Sequence, residues 1–178
     1  MIDDDRAPTG LAERLCGGDR PPFARWRVAR PQKDEGTKVQ ADDSDHHAAV
    51  AVWMQGPIRD ASPPALLAAF EAAFGALWRR SYLVLGEVTL VAILDRVLAT
   101  AVERYPLLAD VAATASGLDC TRLRSQRPAS HVQLAGAVAF VLVEFLTVLG
   151  NLTAEILTPA LHAELARDHA AAVPEPSP

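Results

Sequence analysis

HVQLAGAVAFVLVEFLTVLGNLTAEILTPALHAELARDH, residues 131–169, is the stretch whose reading decides the fold. Laid out at ~100° per residue, its polar side chains fall on one stripe: Gln133, Glu144, Thr147, Asn151, Glu155, Thr158, His162 and His169. The stripe is only about 80° wide by the same arithmetic, and almost everything else between Leu134 and Leu165 is apolar or small. A helix with so thin a wet margin must be covered over most of its circumference. Ser130-His-Val-Gln has the form of a capping box and starts the helix. Gly150-Asn151 offers a place to break it into a hairpin. The stripe nevertheless keeps its phase across that pair, which favours one continuous helix over about 131–169. Pro159 should kink it by evicting a hydrogen bond to the carbonyl of Glu155.

Two shorter helices precede it. Ser62-Pro-Pro supplies a cap and a proline suited to a first turn, and Leu66, Phe70, Ala73, Phe74 and Leu77 follow at helical spacing. This helix is expected over about 62–79, closed by Arg79 and Arg80 at its negative end. Leu90, Ile93, Leu94, Val97, Leu98, Ala101 and Val102 give a second apolar face over about 88–105, ended by Pro106. Residues 107–129 read as a connector, with either a short helix or an extended piece before Gly117. Asp119 is placed to cap a turn there. Arg122, Arg124 and Arg127 make the connector basic enough for a phosphate or an acidic partner, although a solvated link is the plainer reading.

The flanks differ in kind. Residues 1–47 hold Asp3-Asp4-Asp5, Gly17-Gly18, Pro21-Pro22 and a mixed-charge run, and are expected to be a disordered or strap-like tail. Within it, Phe23, Arg25, Trp26 and Arg27 form an arginine-aromatic cluster suited to docking on a partner. Residues 48–171 are expected to form the helical domain, with 48–54 as a short strand or apolar strap, and 172–178 to be a disordered end. The fold class is therefore all-α, a helical bundle built on one long helix.

Composition narrows the function. The 178 residues are 50% hydrophobic but only 6% aromatic, and the net charge of −5 disfavours a nucleic-acid partner. Cys16 and Cys120 lack metal-ligand spacing and read as free thiols of a reducing, cytoplasmic compartment. MIDDDRAPTG is no secretory signal. Leu134–Leu149 is apolar, yet carries Glu144 near its middle and falls short of the ~20 residues a membrane span needs.

The chemical motifs are sparse. Glu155-Ile-Leu-Thr-Pro-Ala-Leu resembles the phosphoacceptor box of sensor histidine kinases, His-Glu-Leu-x-Thr-Pro-Leu, with Ala154 standing where those proteins carry the reactive histidine. The resemblance implies a Thr-Pro kink in a long helix that pairs into a dimeric bundle. His46-His47 is no metal pair, because adjacent side chains diverge. Glu155, His162 and His169 step along one helix about 10.5 Å apart, too far for one ion. No nucleophile elbow, dinucleotide fingerprint or phosphate loop is present. No catalytic residue, cofactor or metal is expected.

One chain cannot wrap a rod about 50 Å long, so a second copy is expected to do so. Phe140, Val143, Leu146, Leu149, Ile156 and Leu161 are the expected interface of that dimer. The favoured function is a non-catalytic interaction or signalling module that self-associates and recruits a partner through its tail. The alternatives are an accessory subunit of a larger assembly, and an enzyme with Glu144, Glu155 or His162 at a subunit interface. The polar stripe is expected to face solvent.

Overall fold

A computed structural model describes residues 35–55, 58–125 and 130–172. The arginine-aromatic cluster Phe23, Arg25, Trp26 and Arg27 lies outside the described residues, as do Arg127 and residues 173–178. The elements are α1 (Glu35–Trp53), α2 (Pro63–Leu85), α3 (Glu87–Arg104), β1 (Ala112–Thr114), β2 (Gly117–Asp119), α4 (Thr121–Ser125), α5 (His131–Thr153) and α6 (Thr158–Ala172). The all-α class holds, with one small antiparallel hairpin, in which Ala112 faces Asp119, inserted between α3 and α4.

The long continuous helix does not. α5 stops at Thr153, and Ala154 and Glu155 both take left-handed backbone, φ 48° and 62°. Their N–H groups converge on the carbonyl of Gly150, the latter at 2.8 Å, and the Thr153 hydroxyl donates to the Leu149 carbonyl at 2.8 Å. These bonds satisfy carbonyls that a helix end leaves bare. Pro159 then falls in the first turn of α6 instead of mid-helix. There its missing N–H breaks no bond, whereas inside a continuous helix it would cost about 3 kcal/mol. Two left-handed non-glycine residues cost about 1–2 kcal/mol each. Doubling back buries Leu161 and Leu165 at 0% and 1% exposure, each contributing about 1.5–3 kcal/mol. The break is therefore the better solution, and the Thr-Pro pair opens a helix where a kink within one was expected.

α5 becomes the centre of the bundle, packed by α1, α2, α3 and α6 of the same chain. Leu134, Val138, Val141, Leu142, Phe145, Leu146 and Leu149 are buried within the single chain. Phe74 of α2 stacks on Phe145 with ring centroids 4.7 Å apart, and Arg104 at the end of α3 lies 5.4 Å over Phe140. Tyr105, next to Arg104, lies against Gly136, so the end of α3 meets the first half of α5 and α3, packed along α5, runs antiparallel to it. The corner between α2 and α3 thus lies at the same end as the turn between α5 and α6. By length and composition α5 could cross a membrane, and half of its most apolar window is buried in the bundle.

The other expectations divide. α3 matches its expected range. α2 runs past Arg79 to Leu85, because Ser81 still faces inward and the chain meets no stop before Gly86. Gly86, at φ 73°, donates to Tyr82 at 3.0 Å and accepts from Leu90 at 3.2 Å, ending α2 and starting α3 in one residue. Arg79 and Arg80 are exposed side chains within α2, not a terminal pair. Ser130 caps α5 as read, its hydroxyl accepting from Gln133 N–H at 3.3 Å. Asp119 accepts from Thr121 N–H at 2.9 Å and so caps α4. The stretch given to the tail up to residue 47 ends in α1, and residues 48–53 are part of that helix, neither strand nor strap.

Candidate functional site

α1 carries His46, Val50 and Trp53 at helical spacing, and all three are 1–2% exposed. They point into the seam with α5 and α6. The break in the long helix brings Glu155 and His162 to the same seam, where each meets α1. His46 Nδ1 lies 2.9 Å from His162 Nε2, with the rings edge-to-face at 84°. His46 Nε2 lies 3.9 Å from Glu155 Oε2. The Thr158 hydroxyl donates to the same carboxylate from the first turn of α6. A few residues along, Trp53 Nε1–H donates to Asp168 Oδ2 at 3.0 Å, tying the far half of α1 to α6.

Gly150 makes room for this arrangement. A β-carbon there would stand 2.7 Å from Glu155 Oε2 and 2.9 Å from its Cδ. The carboxylate is folded back over the end of α5 because nothing projects from that position.

In the tautomer that turns a hydrogen on His46 Nε2 toward the Glu155 carboxylate, His46 Nδ1 accepts and His162 Nε2 donates to it. The result is a chain of carboxylate, imidazole and imidazole. His162 also lines a groove of about 390 Å³ between α1 and α6, together with Asp45, Trp53 and His169. Burial and then the neighbouring His46 hold the His162 imidazole below its ordinary value of 6.5, against the opposing pull of Asp45 and Glu155. Chemically the two imidazoles can share a proton, and His46 orients the His162 ring. Cys120 lies apart from it, at the start of α4. Burial, and secondarily Asp119, push its thiol up to about 11, so it is protonated and a poor nucleophile near neutral pH. Among the described residues no group of three or more histidine, cysteine, aspartate or glutamate side chains is arranged to hold a metal.

Of the expected interface, Leu146, Leu149 and Leu161 are 0% exposed and Val143 is buried, all by the chain's own helices. Phe140 is half-buried beside Tyr105, and Ile156 stands out at 79% exposure. Four of the six residues are thus core, and the need for a second copy to cover them is gone. The stripe does not face solvent as a unit: Glu155 and His162 turn toward α1, Glu144 and Thr147 are half-buried, and Asn151 is exposed. Arg124 pairs with Glu71 of α2, so one arginine of the connector is engaged within the chain. Sequence reasoning missed His46 because α1 was read as tail. The signal was the i, i+4, i+7 spacing of His46, Val50 and Trp53. No protein-family model, curated protein or solved structure matches the chain.

Proposed function

We propose that this chain is a non-catalytic helical interaction module that associates with a second copy of itself through one end of its bundle. The observation behind this reading is a set of bare aliphatic side chains where two corners meet that end. Leu83, Val84 and Val88 flank Gly86 at 80%, 59% and 85% exposure, and Leu152 and Ile156 flank the α5–α6 turn at 59% and 79%. Single exposed leucines are ordinary, but five large aliphatics at one end favour a contact surface. Of the interface expected from sequence, only Ile156 belongs to it.

A second copy presents the same surface, so a two-fold contact is self-complementary. Each aliphatic side chain fully covered contributes about 1.5–3 kcal/mol, against an association cost of 4–15 kcal/mol. Five such side chains from each partner, most of them covered, are enough to offset that cost. The test is the solution mass of the full chain by sedimentation. A dimer that becomes a folded monomer in Val88→Glu/Ile156→Glu supports the reading. A wild-type chain that stays monomeric at high micromolar concentration, or a dimer that ignores both changes, refutes it.

A further inference from the structure

We propose that the His46–His162 contact is a proton-operated latch between α1 and α6, closed when the two imidazoles share one N–H···N bond and opened when both are fully protonated. It goes beyond the self-association reading and does not depend on it. The latch rests first on geometry. His46 is 1% exposed and its Nδ1 is 2.9 Å from His162 Nε2, a gap that holds a single hydrogen. Its other nitrogen has no hydrogen-bond partner and faces the Glu155 carboxylate at 3.9 Å.

The groups acting on His162 are His46 and Asp45 from α1 and Glu155 from the α5–α6 turn. His169 and Asp45 share the groove with it, and Asp168 is engaged by Trp53. On the other side of α6, Glu164 lies with Arg79 and Arg80 of α2. One added proton leaves the bond intact, because one imidazolium still donates to one neutral ring. A second proton sets N–H against N–H and places two like charges in a half-buried seam. The closed state then has to give way at α1, which is held to α6 otherwise by Trp53 and apolar packing.

The direction of the response follows from linkage. His162 in the closed state binds its proton less readily than its ordinary value of 6.5, so protons favour the open state. Above that pH both states are neutral there and the latch adds no pH dependence. As pH falls below it, the open state gains protons first and the closed state loses stability, until the lowered value of the closed state is passed. The strained pair Ala154 and Glu155 lies at the same place, at φ 48° and 62°, so release of α1 also frees the carboxylate that the turn holds inward.

The experiment is amide hydrogen exchange on the full chain, wild type against His162→Gln, compared at the same pH so that intrinsic rates cancel. Near pH 7.5 the difference between the two over residues 46–53 sets the reference, the variant having lost the imidazole that closes the latch. Near pH 5 the wild type should lose at least tenfold protection in that segment, with residues 93–101 of α3 unchanged, and the variant should not. An equal change in both proteins between the two pH values, or a loss spread through α3, overturns the latch. Ring-nitrogen NMR of the wild type supplies a second readout that needs no variant. It should show His46 protonated at Nε2 and bare at Nδ1 at neutral pH, with His162 titrating below 6.5. The opposite tautomer, or a shift of both facing nitrogens on adding equimolar zinc, overturns it as well.

Discussion

Ala154→Gly distinguishes the broken helix from a continuous one by the sign of its effect. Ala154 sits at φ 48°, where an L side chain costs about 1–2 kcal/mol and glycine nothing. Glycine adds back about 0.5–1 kcal/mol through the freedom of the unfolded chain. The net runs from about zero to a stabilisation of about 1.5 kcal/mol. Were residues 131–169 one helix, Ala154 would be interior and the same change would cost about 1 kcal/mol. Urea denaturation followed by circular dichroism measures the difference, with Ala139→Gly within α5 as the control that should lose about 1 kcal/mol. For a chain of this size 1 kcal/mol moves Tm by about 2–4 °C, which a thermal scan resolves. A midpoint that falls in Ala154→Gly as much as in the control would refute the turn.

Other outcomes follow from the same packing. Gly150→Ala gains helix propensity worth about 1 kcal/mol but drives a β-carbon into the Glu155 carboxylate, so stability should stay within about 1 kcal/mol while the His46 ring signals shift. Unchanged His46 signals would mean the carboxylate is not folded over Gly150. Leu146→Ala should cost about 2–5 kcal/mol independently of protein concentration, because Leu146 is 0% exposed within one chain. A concentration-dependent loss would return Leu146 to an interface between copies. Cys120 should resist thiol reagents at pH 8 until the chain is unfolded, its thiol being raised to about 11 by burial. Rapid native labelling at that position would show the turn before α4 to be open.

Much of the fold was readable from local chemistry, and the misses have physical causes. α3 was legible because its apolar repeat is unbroken and Pro106 closes it. Ser130 and Asp119 were legible because a cap needs only its own neighbours. The α5–α6 turn was not, because a stripe in phase across Gly150-Asn151 is satisfied equally by a long helix and by two helices that face the same neighbour. That neighbour, α1, was hidden in a segment rich in charge, where only His46, Val50 and Trp53 are buried among the described side chains. Pro159 breaks the tie, because it removes a hydrogen bond inside a helix and none at its start. Once the chain turns, the candidate site follows: residues a single helix would hold apart meet a histidine some hundred positions away in sequence.

The most direct measurement of whether α6 folds back along α5 is a distance between spin labels at Val132 and Arg167, both exposed, in a Cys16→Ser/Cys120→Ser background. The folded-back arrangement predicts about 20 Å, from about 1.5 Å of rise per residue and an interhelical spacing near 10 Å. A distribution centred near 50 Å, the span of those positions on one uninterrupted helix, would contradict it.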